Sequence, residues 1–304
     1  MANNQALVQV QDESPGFSEA PPKVNEWKRF KRVFFARGMV YIGITIMLIL
    51  VVCAIFAPWL APYDPYKVGV AGAMLKPSSE HLLGTDSIGR DVLSRIIYGS
   101  RTALTVGFLT VAVASVVGTF LGVLSGYFGK AVSAIVMRIV DAVMCFPMNL
   151  LALVLAAVLG GGMVNVIIAI AIAMMPGYAR LANGLTLSVR ENDYVIAAKL
   201  AGAKNSYIIL KHIIPNIFPP LLVLITMNLG NVILSEASLS FLGIGITPPI
   251  PSWGSMVSEG YRHLLRSPHL SIAPGVAVML TVFSFNMVGD GLRDALDPRL
   301  RGLL

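Results

Sequence analysis

Between Asp141 and Arg180 the chain runs through 38 residues without one Lys, Arg, Asp or Glu. About 20 apolar residues suffice to cross the hydrocarbon of a bilayer. An uncharged run of that length, broken only by Gly160-Gly161-Gly162, therefore predicts a hairpin of two spanning helices, whose backbone groups are all bonded internally. Composition points the same way: 56% of the 304 residues are hydrophobic and 13% charged, with mean hydropathy +0.74, whereas soluble domains carry about 25% charged residues. The formal charge of +7 does not argue for nucleic acid, because the basic residues flank the apolar runs, the pattern that sets membrane topology. Cys53 and Cys145 both lie inside apolar runs and read as small packing residues, not a disulfide or metal site.

Residues 1–26 are polar and predict a disordered tail, and nothing in the first 38 resembles a cleavable signal. Trp27 to Arg32 form a basic, aromatic cluster suited to a cytoplasmic membrane interface. The first span is expected over Met39–Ala61, ended by Pro58, Trp59 and Pro62. A polar external segment, 62–101, follows. Within it Asp91 and Arg95 are expected to pair at i,i+4 on an interfacial helix. A catalytic reading of His81, Asp86 and Asp91 is set aside, since no nucleophile elbow or metal-ligand spacing accompanies them. The second span, Thr102–Gly129, carries Gly107, Ala114, Gly118, Gly122 and Gly126 mostly four apart. That bare face predicts close helix packing in lipid. Gly129-Lys130 is no phosphate loop, because Leu124 stands where the first Gly belongs and Ala131 where Ser or Thr does.

The third span is expected over about 137–159, with Arg138 and Asp141 paired at its boundary and Pro147 bending it. The fourth runs over 163–180, the fifth over about 213–246 and the sixth over 271–289. Pro215, Pro219 and Pro220 fall at the start of the fifth, where missing donors matter least. Its one carboxylate, Glu236, either faces water in a pathway or caps helix packing, and both readings stand. Loop 247–268 is rigidified by prolines, with Trp253 expected as an interfacial anchor. Six spans put both termini on one side. Taking that side as cytoplasm leaves 16 of the 23 Lys and Arg inside and 7 outside, in accord with the positive-inside rule.

One polar stretch interrupts the apolar pattern. Tyr194 to Asn216 sets Ala197, Ala198, Leu200 and Ala201 at helical spacing among Lys199, Lys204 and Lys211, with a break at Gly202-Ala203 and Pro215 opening the next apolar run. A short amphipathic helix of this kind cannot span a bilayer, so it lies beside the membrane or docks on another protein.

Ala197-Ala198, then Gly202, then Pro215 resembles the EAA loop of binding-protein-dependent ABC importers, with Ile196 where that family carries Glu. GTDSIGRDVLSRIIYGSR, SGYFG, MRIVD, LSEASLSFLGIGITPPIPSWG and FNMVGDGLRDALDPRLR extend the likeness over about 27–304. The chain is similar to the C-type permease subunit of dipeptide and oligopeptide ABC importers. That resemblance implies an all-α integral membrane protein of the bacterial inner membrane, with six transmembrane helices and both termini cytoplasmic. It implies the type I ABC importer permease fold: a five-helix core over 102–293, a peripheral helix at 39–61 and a tail at 294–304. It also implies a coupling helix near 191–212 that enters a groove on an ATP-binding subunit through Ile196, Ala197, Ala198, Gly202 and Pro215. Glu236 and Trp253 become candidate pathway or gate residues. The implied partners are a B-type permease, two ATP-binding subunits that hold ATP and Mg, a periplasmic or lipid-anchored substrate-binding protein, and membrane lipid. No cofactor falls on this chain. The implied cargo is a di- or oligopeptide, with glutathione or nickel and other metal chelates as alternatives. A proton-coupled carrier needs central acidic residues, whereas Asp141 and Glu236 are few and near the ends. An intramembrane hydrolase needs a motif such as HExxH or GxSxG, and both are missing.

Overall fold

The computed structural model describes residues 26–296, and among these every named element is a helix. The expected terminal tails fall largely outside the described residues. In chain order the helices are α1 (Glu26–Phe34), α2 (Gly38–Ile55), α3 (Ala57–Leu60), α4 (Val92–Phe128), α5 (Lys130–Met144), α6 (Met148–Leu159), α7 (Met163–Arg190), α8 (Asp193–Leu200) and α9 (Asn205–Ile208). A π turn (Ile209–Ile213) leads into α10 (Ile214–Phe241), followed by α11 (Trp253–Tyr261) and α12 (His269–Leu296). Five helices are long and apolar enough to cross a membrane alone, the segment Asn205–Phe241 counting as one of them. α5 and α6 pass the same test as a pair, bent by 89°.

Helix packing shows that the bent pair makes a sixth crossing. A Cβ on Gly118 would lie 2.6 Å from Met175 O, one on Gly122 2.7 Å from Ala182 Cβ, and one on Gly126 2.7 Å from Thr186 Cβ. Rising numbers on α4 thus meet rising numbers on α7, so the two helices run parallel. A chain that traverses α4 must recross before it can enter α7, and α5–α6 is the segment available. The bare face expected from the sequence is the one that packs. Without side chains the backbones approach closely, and dispersion across the contact holds helices that lipid alone does not drive together.

The bend itself is sharper than a proline kink. Helix α5 ends at Met144, and Pro147 starts a new helix from extended backbone at ψ 128°. Asp141 does not pair with Arg138 as the sequence suggests. It accepts from Arg180 Nη2 at 2.6 Å, fastening the elbow to α7. The tertiary partner wins over the neighbour on the same helix face.

α2 is the peripheral helix: 17% of its most apolar window is buried, against 33–50% for the other four spanning helices. It leans on α12, where Gly43 leaves room for Met287, and it breaks at Phe56 before the short α3 instead of running on to Ala61. Arg37 and Asp294 meet at 2.8 Å, so the two described ends lie on the same side of the bundle.

Candidate functional site

The two ends of the bundle are built differently. At one end, α4 begins at Val92, ten residues before the expected Thr102, because Asp91 caps it: its Oδ2 accepts from the Ser94 amide at 2.8 Å and from Ser94 Oγ at 2.7 Å. The other oxygen of Asp91 contacts His81 Nδ1 at 2.9 Å. The expected Asp91–Arg95 pair is therefore absent. Arg95 instead donates to Pro65 O at 3.0 Å and lies 3.7 Å from Asp86. Asp86 accepts from the amides of Ile88 and Arg90 and from Arg90 Nε at 2.5 Å. Arg90 reaches on to Glu259 of α11 at 3.3 Å, and Ser87 donates to the same carboxylate through its amide and hydroxyl. His81, Asp86, Arg90, Asp91 and Arg95 are all buried. Every carboxylate is matched by a basic group or several donors, as buried charge requires. His81, Asp86 and Asp91 are thus occupied in a clamp that ties the external segment to α4 and α11. The histidine and the serine meet opposite oxygens of Asp91, so the imidazole does not stand beside Ser94 as a base would.

Glu236 and Trp253 extend this clamp. Glu236 is 1% exposed, and its Oε1 accepts from Ser240 Oγ at 2.7 Å and from Ser252 Oγ at 3.0 Å. Of the two readings the sequence left open, burial and these bonds favour packing: the carboxylate locks the loop between α10 and α11 onto the end of α10. Trp253 is buried too, its indole N–H donating to Ile96 O at 3.0 Å against Gly99. It is not an anchor at the lipid interface. The ring holds α11 onto α4.

At the opposite end lies the polar stretch. Helix α8 ends as a Schellman motif, with the Ala203 amide on Ala198 O at 3.1 Å and Gly202 at φ +76°. That conformation suits glycine and strains a Cβ-bearing residue. Asp193 in the first turn and Lys199 in the last both complement the helix dipole. The segment is pinned to the C-terminal end of α4 on both flanks. Arg190 Nη1 donates to Gly126 O at 2.7 Å, and Tyr127 Oη donates to Asn205 Oδ1 at 2.9 Å.

Exposure divides the residues expected at this site. Val195 is buried and Ala198 half-buried against the chain's own core, whereas Ile196 and Ala197 face outward and Gly202 has open space beside it. Pro215 does not turn the chain. It sits in the first turn of α10, in a helix continuous from Asn205 to Phe241. The π turn before it, where the Ile214 amide reaches back five residues to Ile209 O, accommodates the ring that an unbroken α-helix would reject. Leu200, 84% exposed, was not among the expected site residues, nor were Tyr194, Tyr207 and Leu210, all exposed. Their signal was present as large apolar side chains among lysines in a segment too polar for lipid. Beside them a cavity of about 870 Å³ opens between Tyr127, Lys130, Arg190, Ile196, Lys199 and Leu200.

A bundle of helices apolar enough to cross a membrane, with a buried ion-pair clamp at one end and a lysine-rimmed, partly apolar surface exposed at the other, has the build of a polytopic membrane protein. Residues 118–302 match the family of binding-protein-dependent transport system inner membrane components, and residues 25–77 match the N-terminal TM domain of oligopeptide transport permease C. The dipeptide transport system permease protein DppC of Alkalihalophilus pseudofirmus is 38% identical over 295 residues, 97% of each chain. The glutathione transport system permease protein GsiD of Pectobacterium atrosepticum is 41% identical over 276 residues, 90% of this chain and 92% of that one. In fold the chain is similar to an inward-facing structure of the MetNI methionine ABC transporter, with TM-score 0.54 and 18% identity, covering 67% of this chain and 96% of that one. The chain belongs to the binding-protein-dependent inner-membrane permeases, in their C-type oligopeptide class. It is a multi-pass transport subunit and not an enzyme, with the type I importer permease fold. Membership implies, in general terms, a partner permease, ATP-binding subunits and a substrate-binding protein.

Proposed function

We propose that this chain is one half of a heterodimeric pore, paired with a B-type permease, that passes di- or oligopeptides from a substrate-binding protein into the cytoplasm. One of two ATP-binding subunits, which hold ATP and Mg, docks on the outer face of α8. Ile196, Ala197 and the turn at Gly202 belong to that face, joined by Leu200 and its aromatic neighbours. Ala198 supports the face from behind. Both termini and α8 lie in the cytoplasm, the external clamp opposite.

The observation that carries the coupling role is Leu200, 84% exposed at the polar end of a membrane subunit. A leucine buried on docking contributes about 2 kcal/mol, and an acidic group there opposes the same contact. Leu200→Asp is expected to prevent co-purification of the ATP-binding subunits and to abolish uptake, while the permease pair still assembles. Normal uptake and capture by this variant would remove α8 from the docking surface. Orientation is tested separately, in a background lacking Cys53 and Cys145. Ser79→Cys should react with an impermeant thiol reagent in whole cells, and Ser206→Cys only after the membrane is opened.

Glutathione, itself a tripeptide, is a second reading of the cargo, supported by relatives at 41–42% identity named for its transport. Competition between labelled glutathione and trialanine for ATP-dependent uptake separates the two.

A further inference from the structure

A ladder of uncharged polar side chains runs along α10. Asn228 Nδ2 donates to Tyr178 Oη of α7 at 3.1 Å, and Asn231 Nδ2 to Asn228 Oδ1 at 3.4 Å. One turn further along α10, Ser235 Oγ donates to Asn149 Oδ1 of α6 at 3.2 Å. Asn228 lies midway along the 28 residues of α10, within a segment apolar enough to span a membrane, where lipid offers no hydrogen bonds, and the row leads from there toward the clamp.

Its outer members are uncovered in this chain. Tyr178 and Ser235 are buried, Asn228 is half-buried, and Asn149 and Asn231 are exposed. Among the described residues no hydrogen bond uses the carbonyl of Asn231 or the amide nitrogen of Asn149. An amide left so in hydrocarbon is unfavourable, so this face meets either water or another molecule. The face is also neutral. No Lys, Arg, Asp or Glu occurs in 142–179 or 212–235, and Glu236 is turned into the clamp.

A primary amide presents the same donor and acceptor as a peptide bond. A neutral row of them bonds a main chain and discriminates little among charged and apolar side chains. From Asn231 to Ser235, which holds Asn149, the row advances four residues, about 6 Å along the helix axis, which is the length of about two extended residues.

We propose that Asn149 and Asn231, backed by Asn228 and Ser235, form a subsite on the translocation path that hydrogen-bonds the main chain of an extended peptide over about two residues. The identity of the ligand rests on the peptide reading above; the position of the path does not. The same amides would alternatively bind helices of the partner permease, an arrangement that leaves them inaccessible to water.

The test uses the assembled importer, with its partner subunits and binding protein, reconstituted in vesicles and lacking Cys53 and Cys145. Asn231→Cys and, on a separate helix, Asn149→Cys are treated with a charged methanethiosulfonate reagent, with Leu48→Cys on the exposed face of α2 as the lipid-facing control. Both pathway positions should be labelled and labelling should block uptake, while Leu48→Cys stays unlabelled. The asparagine variants give two independent readings should one fail to assemble. Protection of both in the assembled importer, or labelling that leaves uptake intact, would overturn the subsite and assign the face to the partner permease. For the ligand, Asn231→Leu should lower ATP-dependent uptake of trialanine by roughly tenfold, as the loss of one net hydrogen bond predicts, and Asn231→Gln should largely restore it. Equal uptake by the leucine variant would remove the main-chain contact. If the unsubstituted importer does not move trialanine at all, the peptide reading fails, while the labelling result still places the path.

Discussion

The clamp and the proposed coupling surface at the opposite end of the bundle contain similar residue types arranged in opposite ways. At the clamp, Asp86, Arg90, Arg95 and Glu259 are drawn together from segments up to 173 positions apart, the first three buried and Glu259 partly so. At the coupling surface, Lys199 and Leu200 stand exposed side by side, and Val195 and Ile208 anchor the segment from beneath. The clamp pairs its charges within the chain; the other surface leaves Lys199 and Leu200 exposed. Substitutions at the clamp should therefore be read in the stability of the subunit. Those at the coupling surface should be read in assembly and transport.

The largest expected effect is at the coupling surface. Gly202→Val forces a β-branched residue into a left-handed turn, a change expected to disfavour that turn by about 1–2 kcal/mol, and it should abolish uptake with little change in the thermal midpoint of the purified permease pair. Gly202→Asn, which tolerates positive φ better, should retain part of the uptake. Next comes the clamp: Asp86→Ala leaves Arg90 and Arg95 buried without their shared partner and should destabilise the subunit by about 3–5 kcal/mol, measured by denaturation in detergent. Wild-type stability in that variant would dissolve the contrast between the two ends. Trp253→Phe keeps the ring but removes the bond to Ile96 O, and should lower stability by about 1 kcal/mol with assembly intact. The smallest effect is reserved for Arg37→Ala. Arg37 and Asp294 are as close as the buried pairs but largely exposed, so the loss should stay below about 1 kcal/mol and shrink further in salt.

The order of the spans was legible because an uncharged run of twenty or more residues has few other uses in a chain. The contact between α4 and α7 was legible for a related reason, since glycines four apart in lipid have little role except close approach. Pairings of charged residues were not. Asp91–Arg95 and Arg138–Asp141 have the spacing of helical pairs, yet Asp91 became a cap and Asp141 found Arg180 across the elbow. Local spacing gives two groups the chance to meet and says nothing of a stronger partner arriving from elsewhere. Trp253 misled in the same manner, as an aromatic residue in a proline-rich loop reads as an anchor until Gly99 opens a slot for it. The coupling stretch was recognisable by its polarity. Which of its small residues face outward depended on how Val195 and Ala198 seat against the core. Isolated asparagines in the middle of apolar runs carry no periodic signal, so the amide ladder emerged only with the helices side by side.

The π turn before Pro215 also absorbs a phase. An α-helix rotates by about 100° for each residue, but the wide turn at Ile209–Ile213 closes its bond over five residues where an α turn takes four, so the extra residue is taken up without turning what precedes it relative to α10. A one-residue deletion there would close the turn to an α turn, leave Leu200 and Asn231 facing as they do, and bring the ring of Pro215 against a carbonyl one turn back.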